Sequence, residues 1–219
     1  MADTKQTKTI GEHWVASELD RRDWAPAMTR DGLERNDSLA VKATDERPMI
    51  EVQVKSARGL DPHVNWPLGA KAQGAPKSDR EWFVMVSIHP DNSRPMCGFV
   101  VPRAHVAAAA WITHMHWLTE PGRKLGKRNA PVSMSREYRE QFAGYEGRWD
   151  LLDHSAYESP VLLPPVFRDY AMGERVGRAH CLRLHARRKL CNRRHSVNRG
   201  GVVGCHRIRG TRGWGRRSA

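Results

Sequence analysis

Residues 49–56, Met-Ile-Glu-Val-Gln-Val-Lys-Ser, constrain the fold more than any other stretch of this chain. Side chains on a strand alternate between two faces. Ile50, Val52 and Val54 therefore make one apolar row, and Glu51, Gln53 and Lys55 make a polar row opposite. Lys and Glu are rarely buried without partners, so such a row faces either solvent or a site that uses it. The first alternative is an edge strand with one wet face. The second depends on what neighbouring segments bring to the row.

Upstream, residues 9–22 carry a helical pattern with Ile10, Trp14 or Val15, Ala16 and Leu19 on one broad face. Thr9 and Glu12 also match a capping box, in which the Glu side chain reaches back to the cap N–H, a purely structural role for Glu12. Residues 24–29 and 38–44 read as strands separated by a turn-rich segment, and Asp45-Glu46-Arg47-Pro48 turns the chain into the Met49 strand as a hairpin. Asp37 stands at the mouth of that hairpin, where an Asp commonly forms a turn through its own side chain.

Downstream, a Gly- and Pro-rich loop over 57–80 holds a solitary Trp66. The near-continuous apolar run within 81–89 predicts a strand buried on both faces, and 97–101 predicts another. Pro102 suits the first position of a helix running to Leu118, with Val106, Ala110, Thr113 and Trp117 on one stripe. Residues 138–152 form the last packed element, after which Pro160, Pro164 and Pro165 discourage regular structure. Helix, clustered strands and helix in this order predict an α/β domain over 9–153 with a mixed central sheet flanked by helices. A short flexible lead (1–8) precedes it, and an irregular connector (154–172) and a tail (173–219) follow.

Charge separates that tail from the body. Of 37 Lys and Arg residues, 14 lie from Gly173 onward beside one acid, Glu174, so residues 1–172 hold 23 bases and 23 acids and the net +13 belongs to the tail. Arg187-Arg188-Lys189, Arg193-Arg194 and Arg216-Arg217 suit sequence-independent phosphate contacts, and the same composition fits a disordered appendage. The basic segment 122–130 offers a further phosphate contact or a solvated surface. Three of the four cysteines, Cys181, Cys191 and Cys205, sit in the tail with Cys97 in the body, which is no disulfide framework. Cys181-x3-His185 and Cys191-x3-His195 are spaced too closely for a zinc finger. On the helix from Pro102 to Leu118, His114 and His116 splay to different faces, against a shared metal. The first residues lack a signal-peptide core, and no run approaches the roughly 20 apolar residues that span a bilayer. The expectation is a cytoplasmic protein without membrane contact.

Four polar residues remain to be explained together: Glu12, Asp37, Gln53 and Lys55. A hard divalent cation such as Mg²⁺ takes oxygen ligands, commonly one or two carboxylates with water and substrate phosphate. Asp37, Glu12, the Gln53 amide oxygen and an adjacent strand carbonyl can supply them. Lys55, about 7 Å further along the face of Gln53, can orient an attacking water and stabilise charge on phosphorus. These parts suit phosphodiester hydrolysis.

The ordered set resembles the restriction-endonuclease-like, or PD-(D/E)XK, nuclease superfamily in its Q-x-K variant, with a helix Glu, then an Asp at a hairpin, then a strand ending in the motif. The matching pieces are Gly11-Glu12, Asn36-Asp37 with Leu39-Ala40-Val41, and Ile50 to Ser56. Trp82-Phe83-Val84, Phe99-Val100-Val101-Pro102 and Arg148-Trp149-Asp150-Leu151-Leu152 resemble the closing half of uncharacterised bacterial members. The resemblance implies Asp37, Glu12 and Gln53 as metal ligands and Lys55 as the catalytic lysine. It implies Mg²⁺ or Mn²⁺ as cofactor, DNA as the favoured nucleic-acid partner, and leaves room for a homodimer. Two other readings stand beside it: a catalytically inactive nuclease scaffold that binds nucleic acid, and a protein-interaction module whose polar row is a wet strand face.

Overall fold

A computed structural model describes residues 4–29, 36–69, 72, 74–118, 122 and 136–167. The expectations for the 122–130 loop beyond Gly122 and for the 173–219 tail, its cysteines included, fall outside these residues. Two helices and seven strands appear among them: α1 (Thr4–Asp20), β1 (Trp24–Met28), β2 (Ser38–Lys42), β3 (Met49–Arg58), β4 (Asn65–Pro67), β5 (Glu81–Ile88), β6 (Cys97–Pro102), α2 (Arg103–Leu118) and β7 (Arg136–Tyr138). Two 3-10 turns, Arg139–Tyr145 and Trp149–Asp153, follow.

Five strands form one mixed sheet in the order β1-β2-β3-β5-β6. The β1–β2, β2–β3 and β5–β6 pairs are antiparallel, whereas β3 and β5 run parallel in register Glu51↔Glu81 to Arg58↔Ile88. The mixed α/β architecture is thus the one the sequence predicts. The wet-edge reading of residues 49–56 is corrected: β3 is the middle strand of the sheet, paired on both sides. β5 is buried along its whole length, as its apolar run requires.

Register fixes which residues share a face. Ser56 pairs with Val86 and Val86 with Gly98, and α1 lies over this row, with Gly11 against Ser56 and Val86 and Trp14 against Gly98. The buried stripe of α1 is Thr7, Gly11, Val15 and Leu19, a four-residue spacing that keeps one helix face on the sheet. The helix starts five residues before the expected Thr9 and stops at Asp20. Asp23 then adopts the left-handed region (φ 62°), which Asp tolerates better than most residues, and hands the chain to β1. Thr9 is consequently no cap. Its hydroxyl, inside the helix, donates to the Lys5 carbonyl at 3.1 Å, and the capping box with Glu12 does not form.

The opposite face carries Glu51, Gln53 and Lys55 of β3, then Phe83 and Met85 of β5, then Phe99 and Val101 of β6. Covering it are α2, the small β4–β7 pair and the first 3-10 turn. Trp66, expected in an open loop, lies in β4 and is fully buried; its ring sits edge-on to Phe99 at 5.5 Å and its indole N–H donates to the Val86 carbonyl at 2.9 Å. The run Ala107–Ala110 lets α2 settle closely, so burial extends around much of the helix rather than along the expected stripe, and Trp117 stays outside at 39% exposure. Pro102 ends β6 instead of opening α2. Past the second 3-10 turn the chain still packs: Ala156 and Phe167 join the core, and the Leu162 N–H donates to the Tyr145 hydroxyl.

Candidate active site

β2 and β3 part company at Ser38. Their register ends at Ser38↔Val52, and Gln53 to Arg58 of β3 continue with no β2 residue opposite them. Asp37 stands at this fork. Its backbone N–H donates to the Val52 carbonyl at 2.9 Å, and its carboxylate Oδ2 accepts the Val54 N–H at 2.9 Å. The side chain thus replaces the carbonyl that a longer β2 would have offered, where a buried ladder N–H would otherwise lack a partner. It does not close a turn upon itself, the role its sequence position suggested. The Asp37 carbonyl is in turn held by the Thr29 N–H at 3.0 Å.

Glu12 reaches the same fork from α1. Gly11 explains how: a Cβ there would lie 1.8 Å from the Ser56 hydroxyl oxygen, so only glycine lets the helix cross β3 this closely. The next side chain then comes to the side of the helix where β2 begins. The Lys8 ammonium lies 3.2 Å from Glu12 Oε1 and 3.8 Å from Asp37 Oδ1, and so bridges both acids. Burial raises the Glu12 carboxyl above its ordinary range; Lys8 opposes this and Asp37 adds to it. Two acids sharing one cation is the arrangement that like charges in close quarters require.

Gln53 and Lys55 lie on the far side of β3 from Ser56, beside the fork. The Gln53 amide oxygen accepts a hydrogen bond from Arg103 Nη1 at 3.2 Å. Arg103 is itself buried, its Nε 3.1 Å from Glu81 Oε2 and its guanidinium stacked over Phe83 at 4.9 Å. Glu81 also accepts the Lys77 and Ser78 backbone N–H groups. Glu51 is occupied by Asn36 Nδ2 at 2.6 Å and the Ser78 hydroxyl at 3.4 Å, which fits a supporting role rather than a ligand. Among the described residues, neither the Lys55 ammonium nor the Gln53 NH₂ group has a hydrogen bond or ion pair.

The structure therefore joins Glu12 to Asp37 through Lys8, attaches Asp37 to the backbone between Gln53 and Lys55, and ties the Gln53 oxygen to Arg103. Lys8 and Arg103 were not anticipated. Lys8 was open to detection, since it stands four residues before Glu12 on one helix face. Arg103 was not, being 50 residues from its partner. The α2 histidines take other work: His105 Nδ1 meets the Tyr145 hydroxyl at 2.9 Å, and His114 stacks on Trp117.

Whether a divalent metal suits the site rests on its donors. No cluster of three or more His, Cys, Asp or Glu residues occurs among the described residues. Glu12 and Asp37 form a pair, which is the number of carboxylates Mg²⁺ commonly takes from protein when phosphate and water complete its shell. The position of Lys8 between them shows that this spot favours positive charge. The pair fits the ion. A cleft of about 660 Å³ on the other flank of α1, lined by Trp14, Arg58, His89 and Arg94 among others, contains none of these four residues. No helix among the described residues is long and apolar enough to cross a membrane. No protein-family model, curated protein or solved structure matches the chain.

Proposed function

We propose that this protein is a metal-dependent nuclease of the restriction-endonuclease-like kind, hydrolysing DNA phosphodiester bonds. The observation that supports it best is the Asp37 carboxylate at the β2–β3 fork, sharing Lys8 with Glu12 and bonded to the backbone of the Gln53-x-Lys55 strand. The order Glu, Asp, Gln-x-Lys in sequence thus meets at the β2–β3 fork, with Glu12 tied to Asp37 through Lys8 and Asp37 bonded to the Val54 N–H between Gln53 and Lys55.

Glu12 and Asp37 would hold Mg²⁺ or Mn²⁺, which when bound supplies Lewis-acid polarisation of a phosphoryl oxygen and lowers the pKa of water. The protein's own groups do the rest. Asp37 is fixed by two backbone bonds and so presents its carboxylate without reorganisation. Lys55, without a partner among the described residues, is available to a phosphate oxygen or to the attacking water. Ionised Glu12 is required for the acid pair to function, so its raised pKa places the acid limb of activity above the ordinary carboxyl range.

Nicking of supercoiled plasmid and of branched DNA with Mg²⁺ or Mn²⁺, wild type beside Lys55→Ala, is the test. Wild type should cleave and Lys55→Ala should lose on the order of a hundredfold or more. Equal rates would remove Lys55 from the chemistry. DNA binding with no cleavage under either metal would favour the inactive-scaffold reading, for which the neutral side chain of Gln53 speaks.

A further inference from the structure

We infer that Gln53 serves the reaction as a hydrogen-bond donor to a phosphate oxygen, held in that orientation by Arg103, and not as a metal ligand. The inference rests on the nuclease reading above and changes the role of one of its residues. A primary amide has one accepting and one donating end. Arg103 carries only donors, so its 3.2 Å contact fixes which end is which: the oxygen faces Arg103 and the NH₂ group faces elsewhere. That NH₂ group has no partner among the described residues.

Arg103 is poorly placed to yield. It is 1% exposed, paired with a 3% exposed Glu81 that is itself fastened by two backbone N–H groups, and stacked on Phe83. Releasing the Gln53 oxygen to a second cation would leave a buried guanidinium N–H without its acceptor and set two positive charges against one oxygen. The β3 face then presents two free donors, the Gln53 NH₂ and the Lys55 ammonium, about 7 Å apart on alternate residues. Beside them at the β2–β3 fork stands Asp37, whose carboxylate holds the Val54 N–H and shares Lys8 with Glu12. A phosphodiester, with anionic oxygens on more than one side, is the chemical class that uses both. Arg103 acts here as a positioning residue.

Gln53→Glu separates the two roles, because it keeps an acceptor for Arg103 and replaces the donating NH₂ by an anionic oxygen that can only accept. Single-turnover cleavage of duplex DNA at saturating Mn²⁺ should fall about tenfold, the size of one lost hydrogen bond to a charged group. A carboxylate that restores or raises cleavage overturns the inference, since an added anionic ligand would do that. Gln53→Met is the second arm, read by calorimetric titration of Mn²⁺ into the free protein. An Mn²⁺ affinity within twofold of wild type, with the cleavage rate reduced, supports the donor role. Affinity weakened tenfold, or cleavage unchanged, refutes it. If wild type neither binds Mn²⁺ nor cleaves DNA, the nuclease reading falls and takes this inference with it, an outcome distinct from loss in the variants alone.

Discussion

Glu12 is a carboxylate kept partly against its own preference. Burial and Asp37 raise its pKa while Lys8 opposes them, so the folded chain binds the Glu12 proton more tightly than the unfolded chain does. The stability this confers is present below the ordinary Glu value and is lost as pH rises through the raised one. Glu12→Gln should therefore melt no lower than wild type near neutral pH, while cleavage drops on the order of a hundredfold; a clear fall in Tm would contradict the assignment. Lys8→Met removes the opposing influence and should move the acid limb of the pH–rate profile upward, which a profile from acid to neutral pH would show. An unmoved limb would mean that Lys8 and Glu12 are not coupled. At this scale the sequence put Glu12, Asp37, Gln53 and Lys55 forward as one set, of which the structure joins Glu12 to Asp37 through Lys8 and sets Asp37 on the backbone between Gln53 and Lys55. It was silent on Arg103, because an amide oxygen gives no sign of which donor 50 residues away will take it.

Strands and helices were legible through alternation and apolar runs, but their neighbours were not. β3 read equally well as an edge strand because alternation describes its two faces and says nothing about its two edges; the parallel partner β5 comes after a long crossover. Trp66 was misplaced in an open loop for the same reason, as three residues of β4 find their partner only in β7. What binds helix to sheet at the site is a contact between small groups. Gly11→Ala would drive a methyl into Ser56 and should cost about 1–3 kcal/mol in overpacking, with lower cleavage because Glu12 is displaced along with the helix. Adding Ser56→Gly should recover both Tm and rate; if it recovers neither, the helix is not seated by this contact. The Arg103–Glu81 pair joins the first residue of α2 to the first residue of β5. Arg103→Met alone should cost about 3–5 kcal/mol in a denaturant titration, since it leaves the Glu81 carboxylate buried without its counter-charge, and adding Glu81→Gln, which keeps an acceptor for the Lys77 and Ser78 N–H groups, should recover part of the loss.

At the scale of the whole chain, charge is unevenly spread: the cationic excess begins at Gly173, beyond Phe167, which is 7% exposed and part of the core. Ending the chain after Met172 should leave Tm unchanged and make DNA binding both weaker and less steeply dependent on salt; a drop in Tm would show the tail to be part of the fold. The crossover between β3 and β5 has one more consequence, in time rather than in space. As the chain leaves the ribosome, the acid pair can form once β3 is available to Asp37, but Gln53 must wait for Arg103 at the head of α2. A nascent or prematurely ended chain that stops short of α2 would thus lack the donor that orients the Gln53 amide, leaving it free to turn either way, a delay that keeps the candidate site incomplete until α2 has closed over the sheet.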